Sequence, residues 1–319
     1  MKRRSFLGLA AAGALASACG QGGGAGGGPR TIRIGYQKNG TFLVASQRRT
    51  VADAVKAAGG AGVEWREFQA GPPLLEAMAA GAIDLGGTGD APPIFAQAAG
   101  APILYVAARP LSGAAGGVLS PKGSSVQSLA DLKGRKLAFA RGSSGHNTAI
   151  VALASAGLTL ADVEPVNLGP ADAAAAFAQG GIDGWVIWDP FYTAAVRDQG
   201  ARVLISGDKL GGGAGYVLAN AKAVEEVPAL VSAALDGLKD DGDWATTNRA
   251  DVAALMARET GLAEELIADM IQREDFVLQP INADIVAGQQ VIADRFAAEK
   301  IIPAPVRIAD AVWAGWEGA

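Results

Sequence analysis

The stretch Phe139-Ala140-Arg141-Gly142-Ser143-Ser144-Gly145-His146-Asn147-Thr148 sets the reading of the fold. Residues 136–140 form a short apolar run suited to a strand. Glycine and small hydroxyl residues follow, and helical spacing then runs from about Gly145 to Ala156. A strand that turns into a helix through Gly-Ser-Ser-Gly points free backbone N–H groups outward at the helix start, with the helix dipole behind them. Such a corner can seat an anion. An ordinary capped helix in an α/β protein gives the same pattern. The stretch also contains the single histidine of the 319 residues.

Working outward, the same alternation recurs in both directions. Residues 31–35, 63–68, 83–86 and 103–108 read as strands, with helical spacing over 42–58 and 74–80. A further helix begins at Asp90-Ala91-Pro92-Pro93, where aspartate is a good cap and proline is tolerated in the first turn. Strands are expected again from Val118 and at 136–140, 164–168, 182–188 and 202–205. Ser128-Leu129-Ala130-Asp131 resembles a capping box. This βαβα order predicts parallel sheet covered by helices. Two glycine-rich runs, 111–117 and 211–215, read as crossings between lobes. After a strand at 216–219, helices are expected over 227–246, 250–259, 263–273, 283–298 and 308–316.

One internal echo supports two lobes built alike. Gly81, Ile83, Asp84 and Asp90 return as Gly180, Ile182, Asp183 and Asp189, each 99 positions later. In both copies glycine ends a helix, Ile-Asp opens a strand and an aspartate precedes the next helix beside a proline. The expected division is residues 31–112 plus 216–319 for lobe 1 and 113–215 for lobe 2.

The first thirty residues are of another kind. Lys2-Arg3-Arg4 is a basic head, residues 6–15 are a weakly apolar body, and Ala16-Ser17-Ala18 is a small-residue cleavage site. Together they form a secretory signal over residues 1–18. Arg3-Arg4-Ser5-Phe6-Leu7 resembles the twin-arginine export signal. Ala16-Ser17-Ala18-Cys19 resembles a bacterial lipobox, which implies acylation of Cys19, the single cysteine; plain cleavage after Ala18 competes with it. One cysteine makes no internal disulfide. The Gly-rich segment that follows, within residues 19–30, reads as a flexible tether reaching roughly 16–19 Å. The protein is therefore expected to be exported to the periplasm or the outer face of the cell membrane, held there by a lipid anchor. Removal of the signal takes three of the 27 basic residues and leaves 24 against 32 acidic ones, a net charge of −8. That balance argues against nucleic acid as a partner.

Several strings now carry a resemblance. They are Ile34-Gly35-Tyr36-Gln37-Lys38, Glu67-Phe68-Gln69-Ala70-Gly71-Pro72, the segment from Gly86-Gly87-Thr88-Gly89-Asp90 to Gly100, Asp131-Leu132-Lys133-Gly134-Arg135-Lys136, and Trp185-Val186-Ile187-Trp188-Asp189-Pro190. The chain resembles the periplasmic substrate-binding proteins of ABC importers for aliphatic sulfonates, a group related to taurine- and nitrate-binding proteins. The resemblance implies an α/β, two-lobed periplasmic binding protein of type II, with two hinge crossings and a helical C-terminal region. It implies a small anionic ligand such as an alkanesulfonate, an ABC permease as partner, and no cofactor or metal.

A sulfonate offers three acceptor oxygens and needs converging N–H and O–H donors. Strand-to-helix corners facing a cleft supply them. The candidates are Gln37 and Thr41 from the first corner, Gly89 and Asp90 from the second, Ser143, Ser144, Gly145 and His146 from the third, and Trp188, Asp189 and Phe191 from the fourth. The serines and neighbouring N–H groups are the first choice for the anion, and the resemblance makes Gln37 a first-lobe contact. Lys38 is as well suited to a solvated loop. Asp90 and Asp189 would repel a sulfonate by roughly 4 kcal/mol at 4 Å and an effective dielectric of 20, so both read better as helix caps. Asp189 is the better partner for the ammonium of taurine. Trp188 and Phe191 would wall an alkyl tail. An enzyme related to pyrimidine-precursor synthases is the competing class. Against it, one histidine and one cysteine at the signal site leave no metal cluster and no nucleophile–histidine pair.

Overall fold

The computed structural model describes residues 29–318 apart from positions 112 and 212. The leader, Cys19 and most of the tether lie outside the described residues.

Two five-stranded sheets form two lobes. The first has the order β2-β1-β3-β10-β4, from β1 (Thr31–Tyr36), β2 (Gly62–Glu67), β3 (Leu85–Thr88), β4 (Ile103–Leu111) and β10 (Gly213–Asn220). The second has the order β7-β6-β8-β5-β9, from β5 (Gly116–Ser120), β6 (Lys136–Phe139), β7 (Glu164–Asn167), β8 (Gly184–Trp188) and β9 (Arg202–Ser206). The two orders are equivalent position by position. Both sheets are mixed, which corrects the expectation of parallel sheet. β10 runs antiparallel between β3 and β4, and β5 runs antiparallel between β8 and β9. These are the strands that cross from one half to the other, and a strand returning directly from the opposite lobe enters its sheet from the far end. For the same reason the second glycine run is not all loop: Gly213 to Gly215 pairs with β4.

The 99-residue echo is structural. Gly81 and Gly180 both adopt the left-handed conformation that ends a helix, at φ 72° and 69°. Asp84 accepts the Arg33 N–H at 2.8 Å, and Asp183 accepts the Lys136 N–H at 2.9 Å. Asp84 thus ties the entrance of β3 to β1, and Asp183 ties the entrance of β8 to β6. In lobe 1 the tie is reinforced, because Arg33 Nη2 and Arg30 Nη2 reach Asp84 at 2.7 and 2.9 Å and Arg30 also pairs with Glu226. Burial pushes the Asp84 carboxyl up, but the hydrogen bonds from Arg33 and Arg30 outweigh it and hold it below the usual range.

Helices cover both faces of each sheet. In lobe 1 one core packs β1, β3 and β10 under α1 (Gly40–Ser46), α2 (Thr50–Ala57) and α9 (Pro228–Thr247). The other face lies under α3 (Gly71–Ala79), α4 (Ala91–Ala98) and α12 (Ala283–Ala298). In lobe 2, α5 (Ser144–Ser155) covers one face and α6 (Pro170–Ala178) and α7 (Phe191–Asp198) the other. The helices α10 (Arg249–Thr260) and α11 (Glu264–Ile271) pack with α1 in a satellite core, and α8 (Ala221–Glu226) follows β10.

Two helical expectations fail for identifiable reasons. The continuous helix over 42–58 is α1 and α2 with a break between them. Residues 40–45 are buried, and Gln47-Arg48-Arg49 cannot continue that face. Arg48 instead turns to the buried Asp241 at 2.5 Å and lies 3.9 Å over the Trp244 ring. The helix expected over 308–316 is a single turn, Ile308–Ala311. Beyond it Val312 bridges Tyr105 on β4, Trp313 donates to the Tyr105 carbonyl at 3.0 Å, and Trp316 Nε1 donates to Asp236 at 2.7 Å. An unpaired sheet edge claims backbone groups that a helix would have used internally. The capping box at Ser128 forms, but over a short 3-10 turn, Leu129–Leu132.

The two echoed carboxylates should differ in weight. Asp84→Ala removes a buried ion-paired partner and should lower the unfolding free energy by about 3–5 kcal/mol. Asp183→Ala, whose carboxylate meets one backbone N–H, should cost about 1 kcal/mol. Urea unfolding of the two variants at pH 7 checks this. The Asp84 contribution is present above the unfolded carboxylate range and fades as pH falls below it.

Candidate functional site

The C-terminal ends of β3 and β8 face each other across the gap between the lobes, as expected for open α/β sheets. Between them lies a cavity of about 210 Å³, floored by the crossing strands. Lobe 1 contributes Gln37, Thr88, Gly89 and Asp90. Lobe 2 contributes Ser143, Ser144, Gly145, Asn147, Trp188 and Asp189. Phe42, Leu111, Leu210, Tyr216 and Leu278 supply much of the apolar wall.

The α5 corner is the donor-rich part. Gly142, at φ 78°, makes the turn that a side chain would strain, and Ser143 adopts the extended conformation of a cap residue. Neither serine forms a side-chain cap. The Ser143 hydroxyl donates to the Ala140 carbonyl at 2.7 Å. Ser144 and Gly145 are the first two helical residues, so their N–H groups have no acceptor within the helix, and no acceptor elsewhere in the described protein takes them. The Ser144 Oγ is enclosed beside the Asp90 carboxylate, which its hydroxyl faces, and no other group in the described protein partners it. Across the gap Gly89 leaves room for it, since a Cβ there would collide with the Ser144 Oγ. Two N–H groups therefore converge without partners, beneath a helix dipole, with the Ser144 hydroxyl beside them.

The acidic residues of the wall are already engaged. Asp90 accepts the Ala91 N–H at 2.7 Å and Asn147 Nδ2 at 2.8 Å. Burial pushes its carboxyl up against those bonds. Asp189 accepts the Thr193 N–H at 2.9 Å and the Thr193 hydroxyl at 2.5 Å, and pairs with Arg273 at 3.2 Å. Burial raises this carboxyl as well. Both serve helix starts, as expected of caps. Glu274, buried and raised by desolvation, pairs with Arg109 at 2.7 Å.

Eight of the eleven site residues expected from the sequence line this cavity: Gln37, Gly89, Asp90, Ser143, Ser144, Gly145, Trp188 and Asp189. Gln37 Nε2 lies 3.3 Å from the Gly87 carbonyl. Three are placed elsewhere. The Thr41 hydroxyl is buried and donates to the Phe276 carbonyl at 2.8 Å. Phe191 packs into the lobe 2 core, with its ring centroid 6.2 Å from that of Trp185. His146 sits one helical step from the cavity and stacks on Phe139, Phe95 and Phe296 at 5.0, 5.8 and 6.1 Å. Its Nδ1 accepts the Gly142 N–H at 3.3 Å. Lys38 is off the wall too, paired with Glu67 at 3.4 Å.

Sequence reasoning missed Arg109, Arg273, Glu274 and Tyr216. The Arg109–Glu274 pair joins residues 165 positions apart, and Arg273-Glu274 follows the end of a helix far from any strand-to-helix corner. No local pattern marks either. Among the described residues no group of three or more His, Cys, Asp or Glu side chains could hold a metal ion, and no helix is long and apolar enough to cross a membrane.

Two α/β lobes, two crossing strands and a donor-lined cavity between strand ends define a two-lobed ligand-binding protein. The chain belongs to the NMT1/THI5-like family, whose model matches residues 63–250. It is 40% identical over 286 residues to a protein of Escherichia coli (strain K12) named for aliphatic sulfonates binding, covering 89% of each chain. Among solved structures it is similar to the alkanesulfonate-binding protein SsuA from Xanthomonas axonopodis pv. citri bound to MOPS. The TM-score is 0.85 and the identity 39%, over 90% of this chain and 99% of that one. It is also similar to the periplasmic aliphatic sulphonate binding protein SsuA from Escherichia coli, at TM-score 0.79 and 39% identity, over 89% and 92% of the two chains.

The placement of His146 has a pH consequence. Burial, with Arg141 adding to it, pushes its pKa down to about 4, so the folded protein keeps it neutral. Below about pH 6.5 the unfolded chain takes up a proton that the folded state refuses, and stability falls until about pH 4. His146→Phe should remove that component, up to about 2 kcal/mol between pH 6.5 and 5, while ligand binding persists. Urea unfolding of both proteins at pH 7 and pH 5 measures the difference.

Proposed function

We propose that this protein binds a small organosulfonate in the interlobe cavity and delivers it to an ABC import permease. The observation that carries the reading is the pair of unpartnered donors at the α5 corner, the Ser144 and Gly145 N–H groups, opening with the Ser144 side chain on a cavity with an apolar wall. A tetrahedral monoanion with an alkyl tail matches both halves of that surface. The relatives named for aliphatic sulfonates and alkanesulfonates support the ligand class.

Taurine fits less well. Its ammonium would want a carboxylate, and Asp90, Asp189 and Glu274 each hold other partners. Nitrate would use the donors and leave the apolar wall unused. The protein acts by binding and release, not by catalysis. The two junctions from each lobe support closure around the ligand, since contacts to both lobes favour the closed state.

With an alkanesulfonate at a hundred times its Kd, the melting equilibrium should gain about 2.7 kcal/mol. Taurine and nitrate should give smaller shifts at equal concentration. Ser144→Asp places a charge among the donors and should abolish the shift. Calorimetric titration of the panel is the test, and a protein that responds to no sulfonate removes the proposal.

The leader and Cys19 support export, with lipid attachment at the outer face of the cell membrane. Cys19→Ser should move the protein from the membrane fraction to the soluble exported fraction. Unchanged partition would leave plain cleavage after Ala18 as the processing route.

A further inference from the structure

The first turn of α5 does two jobs. Residues 144 and 145 present donors to the cavity, and the next two residues hold the opposite lobe. His146 stacks on Phe95 of α4 and Phe296 of α12, both in lobe 1. Asn147 donates from Nδ2 to Asp90 Oδ2 at 2.8 Å, and its Oδ1 accepts Arg295 Nη1 at 3.0 Å. Asp90 and Arg295 both belong to lobe 1, so a single amide is gripped by that lobe on each side.

The order of charges matters. A guanidinium lies at the amide oxygen and a carboxylate at the amide nitrogen. Both hydrogen bonds are charge-assisted and polarise the amide in the same sense. Among the described residues Arg295 makes no ion pair, and its side-chain hydrogen bond is the one to Asn147. It does not line the cavity. Asp90 is tied further into lobe 1, since the Gln289 amide donates to its backbone carbonyl at 2.6 Å. Opening the lobes would part Asn147 from both Asp90 and Arg295, the two lobe 1 side chains that grip it.

We propose that Arg295, acting through Asn147 on Asp90, is a positioning residue that holds the lobes shut and sets how long the ligand stays bound. This rests on the sulfonate-binding reading above. The apparent affinity of a clamshell is scaled by the fraction of molecules able to close, so a residue that never touches ligand controls release. Because the relay leaves from the same helical turn as the anion donors, seating of the anion and closure of the lobes share one rigid element.

The test is stopped-flow release of an alkanesulfonate from wild type, Arg295→Met, Asn147→Ala and the double variant, with small-angle scattering of each bound protein. Arg295→Met keeps the aliphatic stem and should release ligand about tenfold faster, with little change in association rate. The bound radius of gyration should shift toward that of the open form, and the ligand-free urea midpoint should stay put. Arg295→Lys should restore part of the retention. In the Asn147→Ala background, Arg295→Met should add nothing, because the relay is already cut. Wild-type release rates in Arg295→Met, or independent additive effects of the two substitutions, overturn the relay. A wild-type protein that binds no sulfonate overturns the reading beneath it, an outcome distinct from the other two.

Discussion

Each sheet is completed by a strand that crosses from the other half of the chain, and this constraint fixes nearly everything else. β5 follows a strand of lobe 1 and inserts between β8 and β9. β10 follows a strand of lobe 2 and inserts between β3 and β4. Two antiparallel insertions make two covalent crossings, so each lobe is completed by chain that arrives from the other. They also set the ends of β3 and β8 face to face, because Thr88 is registered with Tyr216 and Trp188 with Gly116 on the crossing strands. The cavity is the space left by that arrangement.

Within it the chemistry follows from which polar groups are spent. The carboxylates are engaged by Asn147, Thr193, Arg273 and Arg109. What remains open at the α5 corner is neutral: the amide N–H groups of Ser144 and Gly145. Donors of this kind bind an anion without a counter-ion to strip of water, and so avoid the desolvation of a second charge that a buried salt bridge carries. In the proposed reading a protein of negative overall balance takes an anionic ligand, because the field at a helix start acts locally at its first turn.

Much of this was legible in the residues. The βαβα alternation, the two glycine-rich crossings and the 99-residue echo describe local chemistry, and local chemistry survives folding. Gly81 and Gly180 end helices and Asp84 and Asp183 tie strands because those residue types do so wherever the backbone asks. What was not legible depends on distant partners. Strand direction in β10 follows from a return path through the opposite lobe. The break at Arg48 is written in Asp241 and Trp244, nearly two hundred residues on. The last segment is extended because Tyr105 offers an edge. His146 looked like part of the anion seat from its neighbours in sequence, and its true neighbours are three phenylalanines, two of them in the other lobe.

The clamp at the start of β1 carries one more consequence. Arg30 and Arg33 fasten the entrance of the first strand to Asp84 and Glu226, at the end of the sheet away from the cavity. Just beyond, β1 is registered with β2 over six consecutive pairs, from Thr31 to Tyr36. A pull on the chain ahead of residue 30 would load those ladder bonds in shear, many at once, before any strain reached the crossing strands. Tension at the amino-terminal end is in this way carried by the β1–β2 ladder and the arginine clamp, at the far end of the sheet from the crossing strands.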